Sequence, residues 1–162
     1  MIENFKIEPL KGYGDIMFGT PIDDVVEVLG QPTNQEEIES AYEDDNHVVV
    51  LDYEDNDFSA YFEGNTTMKL TNFYTFNEKS ELFGAKIFDL NKEEVIELMK
   101  QNGYEDFIED KEDGDCISFD ELNLDLYFDD NQLVEVFWAC IGSLMLLPSA
   151  SFPDIQSRKP MM

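Results

Sequence analysis

Carboxylates dominate the chemistry open to this sequence: 37 Asp and Glu stand against 10 Lys and Arg and a single His. General acid–base catalysis needs a titratable group held against a positioned partner. His47, the one histidine, follows the acidic run Glu43-Asp44-Asp45 and opens a β-prone stretch, so it reads as a strand-edge residue. Paired carboxylates recur throughout, and abundance marks no pair as a tuned acid and base. No nucleophile elbow, phosphate loop or dinucleotide-binding glycine pattern occurs. Cys116 and Cys140 lack zinc-ligand spacing, and two cysteines fit a reducing compartment better than a disulfide scaffold. From Asp110 to Glu121 the acids are spaced like those of a calcium loop, but Gly114 comes one position early and strand should follow. An acidic hairpin is expected there. The sequence therefore predicts no catalytic residue, no metal, no cofactor and no enzymatic activity.

What remains is a surface. Strands alternate their side chains between faces. If Asp125, Asp129 and Glu135 face water, Tyr127 and Phe137 share that face, and Tyr61 and Phe73 occupy the matching positions in the first half. Aromatic anchors within a rim of acids suit protein binding, with the rings supplying desolvated area and the charge supplying steering. The alternative is that the C-terminal tail or the other half covers these rings and makes them core. A formal net charge of −27 repels nucleic acid and anionic membrane and draws in basic partners. The same charge could serve solubility alone.

The elements that must position this face come from an internal repeat. Gly14 to Leu29 and Gly84 to Met99 align in register, sharing Gly, Phe, an acidic pair and a Val-led aliphatic run. Thr20 and Pro21 predict an N-cap and first helical residue for the first copy, and Asn91 caps the second. Ile22, Val25, Val26 and Leu29 fall on one helical face, with Gly30 and Gly103 as stops. Residues 48–53, 58–63 and 68–76 are predicted strands, matched by 116–120, 122–128 and 133–140. The expected fold is α+β: two tandem repeats, each a helix followed by an antiparallel three-strand meander, with the helices packed on one sheet face. Residues 1–80 form the first repeat, 81–140 the second, and 141–162 a C-terminal extension.

The first copy, Gly19-x5-Val25-x3-Leu29-Gly30-x-Pro32 after Phe18, resembles the helix segment of the small outer-membrane-assembly lipoproteins and of the β-lactamase-inhibitor-like fold. That resemblance implies a helix on an antiparallel sheet, tandem copies, and a habit of binding proteins through a sheet face. The second copy lacks the Gly-x-Pro ending, and no lipobox cysteine opens the chain. No basic-then-apolar leader starts the chain and no apolar tract is long enough to span a bilayer, which predicts a cytoplasmic protein. Together these features point to an acidic, protein-binding inhibitor. The concrete form is a bacterial immunity protein neutralising a basic toxin such as a nuclease. A nucleic-acid mimic and a housekeeping domain without inhibitory role are the alternatives.

Overall fold

The computed structural model describes residues 3–38, 47–64, 66–111 and 115–141. The chain opens with three two-residue strands, β1 (Ile7–Glu8), β2 (Gly12–Tyr13) and β3 (Ile16–Met17), paired antiparallel in a small sheet. Helix α1 (Ile22–Leu29) follows, burying Val25 and Leu29 one turn apart. Its N-cap is Pro21, with no side-chain cap. Thr20, expected in that role, instead donates its hydroxyl to the Met17 carbonyl at 2.7 Å. Helix α2 (Lys92–Gln101) starts on a full capping box: Asn91 Oδ1 accepts from Glu94 N at 2.9 Å and Glu94 Oε1 accepts from Asn91 N at 3.0 Å. Two orphan amides are satisfied reciprocally.

After α1 come β4 (Asn34–Ile38), β5 (His47–Tyr53), β6 (Phe58–Gly64) and β7 (Lys69–Thr75). The short hairpin of β8 (Glu81–Leu82) and β9 (Ala85–Lys86) precedes α2. After α2 come β10 (Ile108–Asp110), β11 (Asp115–Phe119), β12 (Leu124–Asp129) and β13 (Gln132–Ala139). All eight longer strands lie in one sheet, ordered β10-β11-β12-β13-β7-β6-β5-β4. The last strand of each half meets at the centre, with Thr75 opposite Val136, Tyr74 opposite Phe137 and Phe73 opposite Trp138.

This sheet corrects the expected α+β fold of two helix-plus-three-strand repeats. Strand makes up 48% and helix 21% of the structure, so the molecule is mostly β, with two short helices on one large antiparallel sheet. Two physical facts lay behind the difference. The acidic edge strands β4 and β10 carry no apolar alternation, and the β7–β13 pairing joins segments far apart in sequence. A single hydrophobic cluster runs through both halves, from Val25 and Phe73 to Val95 and Trp138. Trp138 is fully buried, stacks on Phe73 at 5.4 Å and donates its indole N–H to the Gly12 carbonyl at 3.0 Å. Tyr13, also fully buried, meets Trp138 edge-on at 5.1 Å, so the N-terminal hairpin is fastened at the central seam. Residues 142–162 lie outside the described residues.

Candidate protein-binding surface

The face of the sheet turned away from the helices carries a second cluster: Val48, Val50, Tyr61, Tyr74, Cys116, Tyr127 and Phe137. Tyr61 and Phe137 meet edge to face at 5.7 Å across the seam. Three of the four predicted anchors, Tyr61, Tyr127 and Phe137, thus share a face. They are 1%, 6% and 4% exposed, which leaves them no surface for a rigid partner to contact. The exposed aromatic patch is corrected to a buried layer.

Phe73 is not on this face at all. It is fully buried in the helix-side cluster. The register shifts between Tyr61 and Phe62, where Tyr61 faces Asn72 but Phe62 faces Leu70, leaving Thr71 as the extra residue of a β-bulge. A bulge reverses the parity of every side chain beyond it. Counting outward from Lys69 and Thr71 therefore lands on Phe73, whereas the residue that joins Phe137 is Tyr74. The adjacent aromatics Phe73-Tyr74 were the available signal, because neighbouring strand residues serve opposite faces. The same shift recurs between Tyr127 and Phe128, with Val134 as the extra residue.

Buried carboxylates sit among these rings. Asp52 accepts from Ser59 Oγ at 2.6 Å and from Asn34 Nδ2 at 3.2 Å. Glu135, 7% exposed, accepts from the Tyr74 hydroxyl. Asp125 lies half-buried, and its carboxyl is pushed up to about 6 by burial, opposed by a hydrogen bond from Ser118 and reinforced by Asp120. Burial likewise pushes the Cys116 thiol up to about 12, which removes the thiolate needed for nucleophilic reaction. Sequence reasoning placed Asp125 and Glu135 on this face, and Ser59 beside Tyr61, and missed Asp52 and Tyr74.

Exposed acids gather instead at one end of the sheet. The register Tyr53–Phe58–Thr75–Val136 brings together the end of β5, the start of β6, the end of β7 and the middle of β13, whose first residues extend beyond it. Glu54, Asp55, Glu78, Asp89, Asp129 and Asp130 are all exposed residues of the connections there or nearby. Asp129, a predicted rim residue, therefore lies at the strand end opposite Gln132, away from the middle of the face. Between the connections lies a cleft of about 740 Å³. Phe76, Phe88 and Leu133 give it an apolar lining, and Glu78 and Asp89 supply acids. Asp57 is raised above the usual carboxylate range by burial and then by the charge of Glu78. Like charges are crowded here beside an apolar floor, and a cation entering the cleft relieves that repulsion.

His47 is exposed, with Nδ1 3.1 Å from Glu37 Oε1 on the neighbouring edge strand. Asp110 pairs with Cys116 across a β-hairpin, and Glu121 lies on the 3-10 turn after β11. Glu112 to Gly114 fall outside the described residues. Among the described residues, no three His, Cys, Asp or Glu side chains are grouped to hold a metal, and no helix is long and apolar enough to cross a membrane.

The fold thus defines a class, one large eight-stranded antiparallel sheet, with a small three-stranded sheet and a short hairpin beside it, two helices on one side and an acid-lined cleft at one end. No family model, curated protein or solved structure matches this chain.

Proposed function

We propose that the protein is an acidic, cytoplasmic binding protein that inhibits a basic protein partner, in the manner of a bacterial immunity protein neutralising a toxin such as a nuclease. Neither nucleic acid nor membrane is the partner in this reading. The observation that carries it is the acid-lined cleft, where Glu78 and Asp89 flank the apolar side chains of Phe76, Phe88 and Leu133. A Lys or Arg of the partner fits both parts, laying its aliphatic stem on the rings and its charge against the acids. Burial of Asp57 beside Glu78 adds to the attraction, because a cation lowers the cost of keeping both ionised. The net charge of −27 steers the encounter, and the cleft gives it a register.

A test uses surface binding kinetics against a panel of basic bacterial nuclease toxin domains at two ionic strengths. For the cognate domain, Glu78→Gln with Asp89→Asn should weaken binding at least about tenfold, the worth of one well-placed charge contact. Asp23→Asn with Asp24→Asn, on exposed α1, should lower only the association rate at low salt. Equal losses from the two double variants would refute the cleft and leave diffuse attraction. Absence of saturable binding to any domain would refute the inhibitor reading itself.

A further inference from the structure

A second cleft, of about 480 Å³, opens between the β1–β2 and β8–β9 hairpins, lined among others by Lys6, Lys11, Phe83 and Tyr104. Two independent observations make it unlike the rest of the surface. The first is backbone strain. Phe83 and Gly84 form the two-residue turn of the β8–β9 hairpin, where Leu82 pairs with Ala85, and both have positive φ, +51° and +81°. Two successive left-handed residues make a turn that favours Asn-Gly and disfavours a bulky side chain. Phe83 gains no core burial in return: it is 38% exposed and, among the described residues, stacks only on Tyr104, at 5.8 Å and 15° between ring planes. A ring held at conformational cost on the surface is the pattern of a ligand contact.

The second observation is charge. Lys6 and Lys11 are two of only 10 basic residues in the chain, and among the described residues neither makes an ion pair. Glu8 and Glu81 also line the cleft. The site is therefore locally balanced in charge within a molecule that is elsewhere strongly acidic. The distant acids are screened beyond about 8 Å at physiological salt. A volume of this size accommodates a small organic molecule.

We propose that this cleft binds a planar aromatic anion, its ring stacked on Phe83 and its anionic group held by Lys6 and Lys11. Nucleoside monophosphates and aryl carboxylates share that chemistry. The proposal is independent of the inhibitor reading.

The test titrates the full chain with adenosine monophosphate, 2-naphthoate and inorganic phosphate, following backbone and aromatic NMR signals. At least one aromatic anion should bind saturably and shift Phe83 and Tyr104, with phosphate at least about tenfold weaker for want of a ring to stack. Adenosine monophosphate binding alone identifies a nucleotide site, and comparable binding of naphthoate identifies a site for aromatic acids. Phe83→Asn should abolish binding yet raise the melting temperature, because Asn suits the turn. Lys11→Gln should weaken binding and reduce its salt dependence while leaving the fold unchanged. Failure of both aromatic anions to saturate overturns the proposal. So does a lower melting temperature for Phe83→Asn, which would make the ring a structural plug.

Discussion

The two halves of the sheet carry the same cross-strand pair in opposite order. In the first half Asp52 on β5 faces Ser59 on β6, and in the second Ser118 on β11 faces Asp125 on β12. Both pairs lie in the row that crosses the seam through Tyr74 and Phe137. The swap moves the carboxylate one strand inward. Asp52 stands beside edge strand β4, directly opposite Asn34, whose amide donates to it. Asp125 has edge strand β10 a further strand away, and the residue opposite Ser118 there is Ile108, which donates nothing from its side chain. A buried carboxylate is tolerated as an anion when donors surround it and drifts toward the neutral acid when they do not. One register step decides whether the neighbouring edge strand places a donor opposite the pair.

The comparison breaks most sharply under the same substitution made twice. Asp52→Asn turns one of the two accepting oxygens into a donor, leaves either Ser59 or Asn34 without its acceptor at a buried site, and should cost about 1–3 kcal/mol at pH 7. Asp125→Asn should do the opposite. Its folded pKa of about 6 lies above the unfolded value near 3.9, so the neutral form is favoured by folding. That contribution is fully present below about pH 4 and is lost as pH rises through about 6. At pH 7 the ionised, poorly solvated carboxylate is a burden, and Asn should relieve about 1–2 kcal/mol, a range reduced for the side chain's partial exposure. Urea denaturation at pH 7 and pH 5 checks both. The parent should gain stability on acidification relative to Asp125→Asn, and equal signs for the two substitutions would remove the distinction between the halves.

The smallest effect sharpens the cause. Asn34→Ala deletes only the second donor to Asp52 and should cost about 1 kcal/mol. In that background Asp52→Asn should cost less than it does alone, by a coupling of roughly 0.5–1 kcal/mol. Additive losses would mean that the amide does not support the carboxylate.

Local signals were the legible part of this sequence. Asn91 and Glu94 specify the start of α2 through contacts three residues apart, and Tyr61, Tyr127 and Phe137 follow strand alternation onto one face. Phe73 was misplaced because a bulge at Thr71 carries no mark in a single sequence, and one extra residue inverts all that follows. Thr20 looked like a cap, but its hydroxyl turns back to Met17 and leaves Pro21 at the cap. Asn34-Gln35-Glu36-Glu37 and Ile108-Glu109-Asp110 are strands because neighbours pair with them, not because their composition favours a sheet. Burial of the aromatic layer was the hardest feature to read, since alternation says which residues share a face and nothing about whether water reaches it. The end cleft gathers Glu78, Asp89 and Leu133 from separate connections, a coincidence that only topology creates.

The central seam also sets a clock on synthesis. Strand β7 is complete at Thr75, but its neighbour β13 begins only at Gln132. At roughly 5–20 residues per second the ribosome takes roughly 3–13 s to supply the missing strand. Throughout that interval the nascent first half presents the main-chain donors and acceptors on the β13-facing edge of β7 unpaired, beside Phe73 and Tyr74. An open strand of this kind templates pairing with other chains, so yield during expression depends on how quickly translation delivers β13 and on what shields β7 until it arrives.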